Sequence, residues 1–310
     1  MKPYVYGIDI GGTSIKFGLF NRQLQLEKKW EIPTNSSNNG ESIFGDIVDS
    51  IKMHTPDLSQ IEGYGFGVPG PVLKNYVQMC VNLGWKNVDL QDRLRDELKN
   101  DHIVVGNDAN VAALGEAFLG AAKGRKNVAM LTLGTGVGSG IVVDGRLLEG
   151  HNGSAGELGH LTIPQEQPIA CNCGKKGCLE TVASATGIRN IYHRLNEDFT
   201  GHSTLYDNDY VDSKAIFDAA KAGDKLAISV VDEAAYYIGY ACHVLSVTTD
   251  PSVIVIGGGV SKAGEFLIEK VTNEFHRLVF QPTNDTVIVT AQLGNDAGIY
   301  GAAGLVKIRG

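Results

Sequence analysis

Apolar positions along this chain fall into short runs with two alternating periods. Tyr4 to Ile10 (YVYGIDI) is nearly continuous and predicts a buried strand. GGTS turns the chain, Ile15 to Phe20 predicts a second strand, and Leu24 to Ile32 a third in the same meander. Residues 41–54 space their apolar positions as a helix does, GYGFGVPG (63–70) predicts a strand entering a Gly-Pro loop, and the leucines from Leu90 to Leu98 recur at helical intervals. HIVVGND predicts a short buried strand ending at Asn107 and Asp108, and the alanine-rich ANVAALGEAFLGAAKG a helix closed by Gly124.

The pattern then begins again. NVAMLTLGTGVGSGIVVDGRLLEG predicts strand, glycine turn, strand, Asp-Gly turn, strand. IDIGGTSIKFGLF (8–20) and LTLGTGVGSGIVV (131–143) share an apolar strand, a Gly/Thr turn and a returning strand. They predict a duplicated strand–turn–strand unit opening each of two similar domains, with the boundary near residue 120. From 184 the chain turns mostly helical, with a polar loop around 197–212. A long helix from Leu226 to Val247 leads through Asp250-Pro251 into the strand VIVI and the turn GGGVS. Strands mixed with helices throughout give an α/β architecture.

Composition narrows the function. The 310 residues are 43% hydrophobic and 20% charged, an ordinary globular balance that suits two domains. A net charge of −8 argues against nucleic acid or an anionic membrane as the main partner, since both call for a basic surface. No apolar run approaches the ~18–20 residues of a membrane span. MKPYVYGIDIGG does not read as a signal peptide, since it lacks a basic head before a long apolar stretch and Asp9 interrupts it early, so none is expected. Five cysteines without an export signal point to the reducing cytoplasm, where a cysteine cluster more often binds metal than forms disulfides.

The 39 glycines are concentrated in turns, and the turns carry candidate chemistry. DIGGTSIK (9–16) leaves a strand through two glycines and a hydroxyl, a setting in which backbone N–H groups can approach an anion. It is no P-loop, since Lys16 is followed by Phe17, and neither GTGVGSG (134–140) nor GGGVS (257–261) completes a dinucleotide fingerprint. One such turn alone is most often a plain hairpin. Three together are explained by a phosphate clamp of two hairpins, built on Gly11, Gly12, Thr13, Lys16 and on Gly134, Thr135, Gly136, with Gly257, Gly258 and Gly259 under the nucleoside. Asp9 could then hold Mg2+ through water, as a hard oxygen ligand should.

DIGGTSIK, GVPGPV, NDANVAALGE, LGTGVGSGI, AGELGH, CNCGKKGCLE and VIGGGVS, in this order over nearly the whole chain, resemble the ROK family of sugar kinases and related repressors, and within it the bacterial glucokinases. The resemblance implies an actin-like, ribonuclease-H-like two-domain ATPase fold that holds ATP between its domains, and a homodimer. A smaller α/β domain would comprise residues 1–120 with about 294–310, whose final helix returns to it. A larger α/β domain, 121–293, would carry the cysteine loop.

An aspartate ahead of an alanine-rich helix is most often an N-cap, and the residues alone favour that for Asp108. The resemblance instead makes Asp108 the base that takes the proton of a sugar hydroxyl as it attacks the γ-phosphate of ATP. It places Asn107, Glu157, His160 and Glu180 on neighbouring sugar hydroxyls, with Gly70 and Asn82 lining the same pocket. A lone glutamate on a loop is usually only solvated, so Glu157 carries little weight without it.

Cys171, Cys173 and Cys178, with His160 eleven residues upstream, supply three thiolates and an imidazole, the ligand set of a closed structural zinc site. Zinc would then shape the sugar pocket by placing Glu180, while the three glycine turns, built from other segments, owe nothing to it. Two features depart from the family pattern: the spacing from His160 to Cys171 is one residue longer, and Leu73 and Lys74 stand where an acidic residue is usual.

Three functions compete. The first is an ATP-dependent kinase acting on the 6-hydroxyl of glucose. The second is a kinase for N-acetylmannosamine or N-acetylglucosamine using the same residues. The third is a sugar-sensing regulator without catalysis, against which stand the retained Asp108 and all three nucleotide turns.

Overall fold

The computed structural model describes residues 2–55, 57–207 and 210–309. Among them the chain forms thirteen strands: β1 (Tyr4–Ile10), β2 (Ser14–Asn21), β3 (Leu26–Pro33), β4 (Ile61–Val68), β5 (Val72–Leu73), β6 (Tyr76–Cys80), β7 (Trp85–Asp89), β8 (Ile103–Asn107), β9 (Val128–Leu133), β10 (Val137–Val143), β11 (Arg146–Leu147), β12 (Val253–Gly257) and β13 (Val287–Thr290). The helices are α1 (Ser37–Gly40), α2 (Ser42–His54), α3 (Leu90–Leu98), α4 (Asp108–Leu119), α5 (Glu180–Ala183), α6 (Ala185–Asp198), α7 (Ser213–Lys221), α8 (Lys225–Thr249), α9 (Glu265–Leu278) and α10 (Ala297–Ile308).

Two compact units result, one from Met1–Gly124, Asp144–Ala155 and Asn295–Gly310, the other from Arg125–Val143 and Gly156–Gly294. The first contains a sheet ordered β3-β2-β1-β4-β8, antiparallel among its first three strands and parallel from β1 through β8. In the second, β10 runs antiparallel to β9, while β12 and β13 continue parallel to it. The same order of turns and crossovers thus occurs twice, and the duplicated strand–turn–strand unit is borne out. The central strands β1, β4, β8, β9 and β12 are buried on both faces, as strands covered by helices require, while the edge strands β3 and β13 are largely exposed or half-buried.

Each unit has its own core. Tyr6, Phe17, Phe66 and Ile47 belong to the first, and Leu131, Ile256, Val230, Ile238 and Phe275 to the second. In the first, α10 lies so close to the sheet that a Cβ at Gly65 would overlap the carbonyl oxygen of Ala302. In the second, α8 buries Val230, Ala234, Ile238, Ala241 and Leu245 at helical spacing. Asp224 caps its start by accepting from the Ala227 N–H, and the left-handed Asp250 before Pro251 ends it. No helix among the described residues is long and apolar enough to cross a membrane.

The structure departs from the sequence pattern in three places. The third strand begins at Leu26 rather than Leu24, because Leu24 sits at φ 57 in a turn tied down by the Asn21 side chain. Helix α4 ends at Leu119 rather than Gly124: the Glu116 carboxylate accepts from the Ala121 N–H and pulls the chain out of helical register. A three-stranded sheet β5-β6-β7 had no counterpart in the pattern. Its first hairpin turns through Lys74 and Asn75, both at positive φ, a two-residue turn without the Asn-Gly or Asp-Gly signature that marks such turns in sequence. Part of the polar loop expected around 197–212 lies outside the described residues.

Candidate active site

In the first unit, the β1–β2 turn is closed by Gly11 N–H donating to Ser14 O at 2.9 Å, and the Thr34 hydroxyl donates to Gly11 O at 2.7 Å. Register pairs Asp9 with Lys16 across the hairpin. The Lys16 ammonium donates to Asn295 O at 2.9 Å, so this lysine is tied to the segment entering α10. That segment also sets Asp9. Gly298, in the first turn of α10, faces the Asp9 carboxyl group so closely that a Cβ there would lie 2.6 Å from Asp9 Cγ. Burial, and secondarily the charge of Asp108, push the Asp9 carboxyl up to about 6, with Lys16 opposing.

Asp108 comes to the same place from β8 and α4. A Cβ at Gly67 would stand 3.6 Å from Asp9 Oδ1 and 3.9 Å from Asp108 Cα. Asn107, not Asp108, caps α4: its side-chain oxygen accepts from the Asn110 N–H at 3.1 Å, while its Nδ2 donates to Gly70 O at 3.0 Å. Asp108 is the first helical residue, and its Oδ1 accepts from the Ala109 N–H at 2.8 Å. Gly70, at φ 94, is held in the left-handed region that favours glycine. Asn82 is exposed on a short turn after β6, and a Cβ at Gly12 would lie 3.6 Å from its Cβ. Asp9, Gly12, Gly67, Asn82, Asp108 and the capped Asn107–Gly70 pair therefore form one cluster at the strand ends of this unit.

In the second unit, Gly134 N–H donates to Gly136 O at 3.0 Å to close the β9–β10 turn. β12 delivers Gly257 opposite Thr132, and Gly258, at φ 83, turns against Leu133, so the two glycine turns of this unit are neighbours. Positions where a Cβ would stand at Gly134 and Gly259 have nothing within 4 Å, which leaves room for a ligand. Beside them β10 holds the AGELGH loop: the Ser139 hydroxyl donates to Gly156 O and accepts from the Leu158 N–H. This fixes the backbone that carries the exposed Glu157 and His160.

His160, Cys171, Cys173 and Cys178 come together with one donor atom each, all within 4.8 Å of one another. Cys171 Sγ lies 3.8 Å from His160 Nδ1, and Cys173 Sγ 3.6 Å from Cys178 Sγ. Ligands at Zn–S about 2.3 Å and Zn–N about 2.0–2.1 Å would be separated by ~3.5–3.8 Å in a tetrahedron. The donors thus match zinc in kind, and these two separations fall within its range. The two thiols shift in opposite directions: the Lys175 N–H, then the Cys171 thiol, hold Cys173 below the usual thiol range. Burial, then hydrogen bonding from Cys173, pushes Cys178 up to about 12. A divalent cation is what would draw both protons off together.

Glu180 differs from expectation. Its Oε2 accepts from the Val137 N–H at 2.9 Å, at the end of the β9–β10 turn, and its Oε1 lies 3.9 Å from Cys171 Sγ. The glycine turn at Gly134 is therefore not independent of the cysteine loop, because the residue two places after Cys178 is bonded to it. Gly298, Ser139 and this second role of Glu180 had no signal in the sequence. Each acts through a contact between segments remote in the chain, and no spacing rule reports such a contact.

The chain matches the model of the ROK family over residues 5–309, and it belongs to that family. It is 44% identical to the glucokinase of Halalkalibacterium halodurans, over 97% of this chain and 94% of that one. Among solved structures, the ROK hexokinase from Thermus thermophilus superposes with a TM-score of 0.84 at 32% identity, covering 99% of this chain and 98% of that one. A ROK glucokinase from Streptomyces griseus in complex with glucose and AMPPNP gives a TM-score of 0.77 at 32% identity, covering 98% and 99%. The fold is accordingly the actin-like, ribonuclease-H-like ATPase fold of the ROK sugar kinases.

Proposed function

We propose that this protein is an ATP-dependent hexose kinase, a glucokinase that converts glucose to glucose 6-phosphate. The observation that carries the mechanism is the capping of α4 by Asn107. With the cap supplied by its neighbour, Asp108 stands in the first turn of the helix, where the helix N-terminus favours an ionised carboxylate. It takes the proton of the sugar 6-hydroxyl as that oxygen attacks the γ-phosphorus; the new O–P bond forms while the bond to the β-phosphate oxygen breaks, and ADP leaves. Asn107, Gly70 and Asn82 are assigned to the sugar in the first unit, and Glu157, His160 and Glu180 in the second. An imidazole engaged through Nδ1 keeps its Nε2–H as a donor for a hydroxyl.

The nucleotide is assigned to Gly11, Gly12, Thr13 and Lys16, to Gly134, Thr135 and Gly136, and to Gly257, Gly258 and Gly259. Asp9 would hold, through water, the Mg2+ that accompanies ATP. Zinc, held by His160, Cys171, Cys173 and Cys178, supplies structural support only. The protein would work as a homodimer in the cytoplasm, where reduction keeps the cysteine ligands free.

A coupled assay of ADP release across glucose, N-acetylglucosamine, N-acetylmannosamine, mannose and fructose tests the reading. Glucose should show the highest kcat/KM. Preference for an N-acetylated hexosamine would overturn the glucokinase assignment and leave the kinase mechanism standing.

A further inference from the structure

Given the nucleotide role proposed above for the Gly134–Gly136 turn, we infer that Glu180 is a positioning residue of that turn and not solely a sugar ligand. The residue thereby ties the shape of the phosphate-binding backbone to the cysteine loop. Residues of the turn in succession are fastened to the segment 180–186. Gly134 O accepts from the Ala185 N–H at 2.8 Å, Thr135 O from the Thr186 hydroxyl at 3.2 Å, and the Val137 N–H donates to Glu180 Oε2 at 2.9 Å. Gly136 lies against the same oxygen, which a Cβ would overlap.

Glycine-rich backbone has the most conformations to lose on ordering, so a turn of this composition takes its shape from bonds made to it. Of the three fastenings, the one to Glu180 is charge-assisted and the strongest in kind. Its carboxylate is itself placed by what precedes it. Cys178 is fully buried two residues earlier, Oε1 lies beside Cys171 Sγ, and the α5 backbone continues into the core through Val182 and Ala183. One oxygen thus orients the turn while the other remains for a sugar hydroxyl, so a single side chain serves both substrates within this unit.

Calorimetric titration of Mg2+–AMPPNP into the sugar-free holoenzyme tests this, because a residue that only binds sugar would not move it. Glu180→Ala should weaken AMPPNP binding by about tenfold or more, the loss expected for a charge-assisted hydrogen bond. Zinc content by elemental analysis should stay at the wild-type value, since Glu180 is not among the four ligands. Glu180→Gln keeps an amide oxygen able to accept from Val137 and should recover most of the affinity. Gly136→Ala, whose Cβ takes the space of Oε2, should reproduce the loss. Wild-type AMPPNP affinity in zinc-replete Glu180→Ala overturns the inference. Gly134→Val, placed where no protein atom is near, isolates the underlying assignment. If it binds AMPPNP normally, the turn is no nucleotide site and the reading beneath the inference fails. If it loses binding while Glu180→Ala keeps it, the positioning role alone is refuted.

Discussion

Asp9 and Asp108 both border Gly67, and their surroundings divide the work between them. Burial and the neighbouring Asp108 hold Asp9 up at about 6, whereas an aspartate in the unfolded chain titrates near about 3.9. The folded protein therefore binds this proton more tightly than the unfolded chain does. Its stabilising contribution is complete below about pH 4 and is lost as pH rises through about 6. At pH 8 the ligand-free protein carries an enclosed, ionised carboxylate that a divalent cation would relieve. Asp9→Asn should accordingly raise the Tm of the ligand-free protein at pH 8 by several degrees, at about 2–4 °C per kcal/mol for domains of this size. The gain should shrink to nothing near pH 4 in calorimetric scans, and an unchanged Tm at pH 8 would contradict the burial of this charge. For Asp108 the expectation concerns rate. Asp108→Asn keeps size and hydrogen bonding and removes the base, so kcat should fall by at least ~10^2 while glucose affinity changes far less. Near-normal turnover in the folded variant would return Asp108 to a structural role.

Between elements, what was legible in the sequence is what spacing records. The hairpins around Gly11 and Gly134 could be read because apolar runs flank glycine turns. The four proposed metal ligands could be read because they fall between residues 160 and 178. The Glu180–Val137 bond could not, since it joins a carboxylate to a backbone amide 43 residues away without any repeating pattern. Gly298 was equally silent: its importance lies in the carboxyl group of Asp9 against it, at the opposite end of the chain. The β5–β6 hairpin was missed because Lys74-Asn75 makes a turn usually signalled by glycine. These contacts alter one expectation drawn from sequence. Cys173→Ser should lose zinc, because a serine hydroxyl is a far poorer ligand than a thiolate. If the cysteine loop held only sugar residues, glucose KM would rise and Mg2+–AMPPNP affinity would stay constant. With Glu180 bonded to the β9–β10 turn, both should weaken, the sugar by as much as ~10^2-fold where misplacement reaches about 1 Å. Calorimetry showing intact AMPPNP binding in the zinc-free variant would restore the simpler picture.

Over the whole molecule, duplication has produced two sheets of like order, each with a separate core, and the proposed metal ligands belong to only one of the two units. Cys178 is fully buried, and Leu179, Val182, Ala183 and Ile163, which bracket the cysteine loop, belong to the same core as Leu131, Ile141 and Ile256. The core around Tyr6, Phe66 and Ile47 draws no residue from that loop. Local opening of a protein follows such contiguous sets of buried contacts, so a constraint lost from one set lowers protection there first. Removing zinc with a chelator should therefore speed amide hydrogen exchange in β9, β10, β12, α5 and the start of α6, and leave β1, β2, β4 and β8 at their holoenzyme rates. Cys171→Ser should give the same pattern without chelator, which separates loss of the metal from any action of the chelator itself. Equal loss of protection in both sets of strands would mean that the two cores open as one cooperative body, and that the cysteine loop supports the entire molecule rather than the unit that contains it.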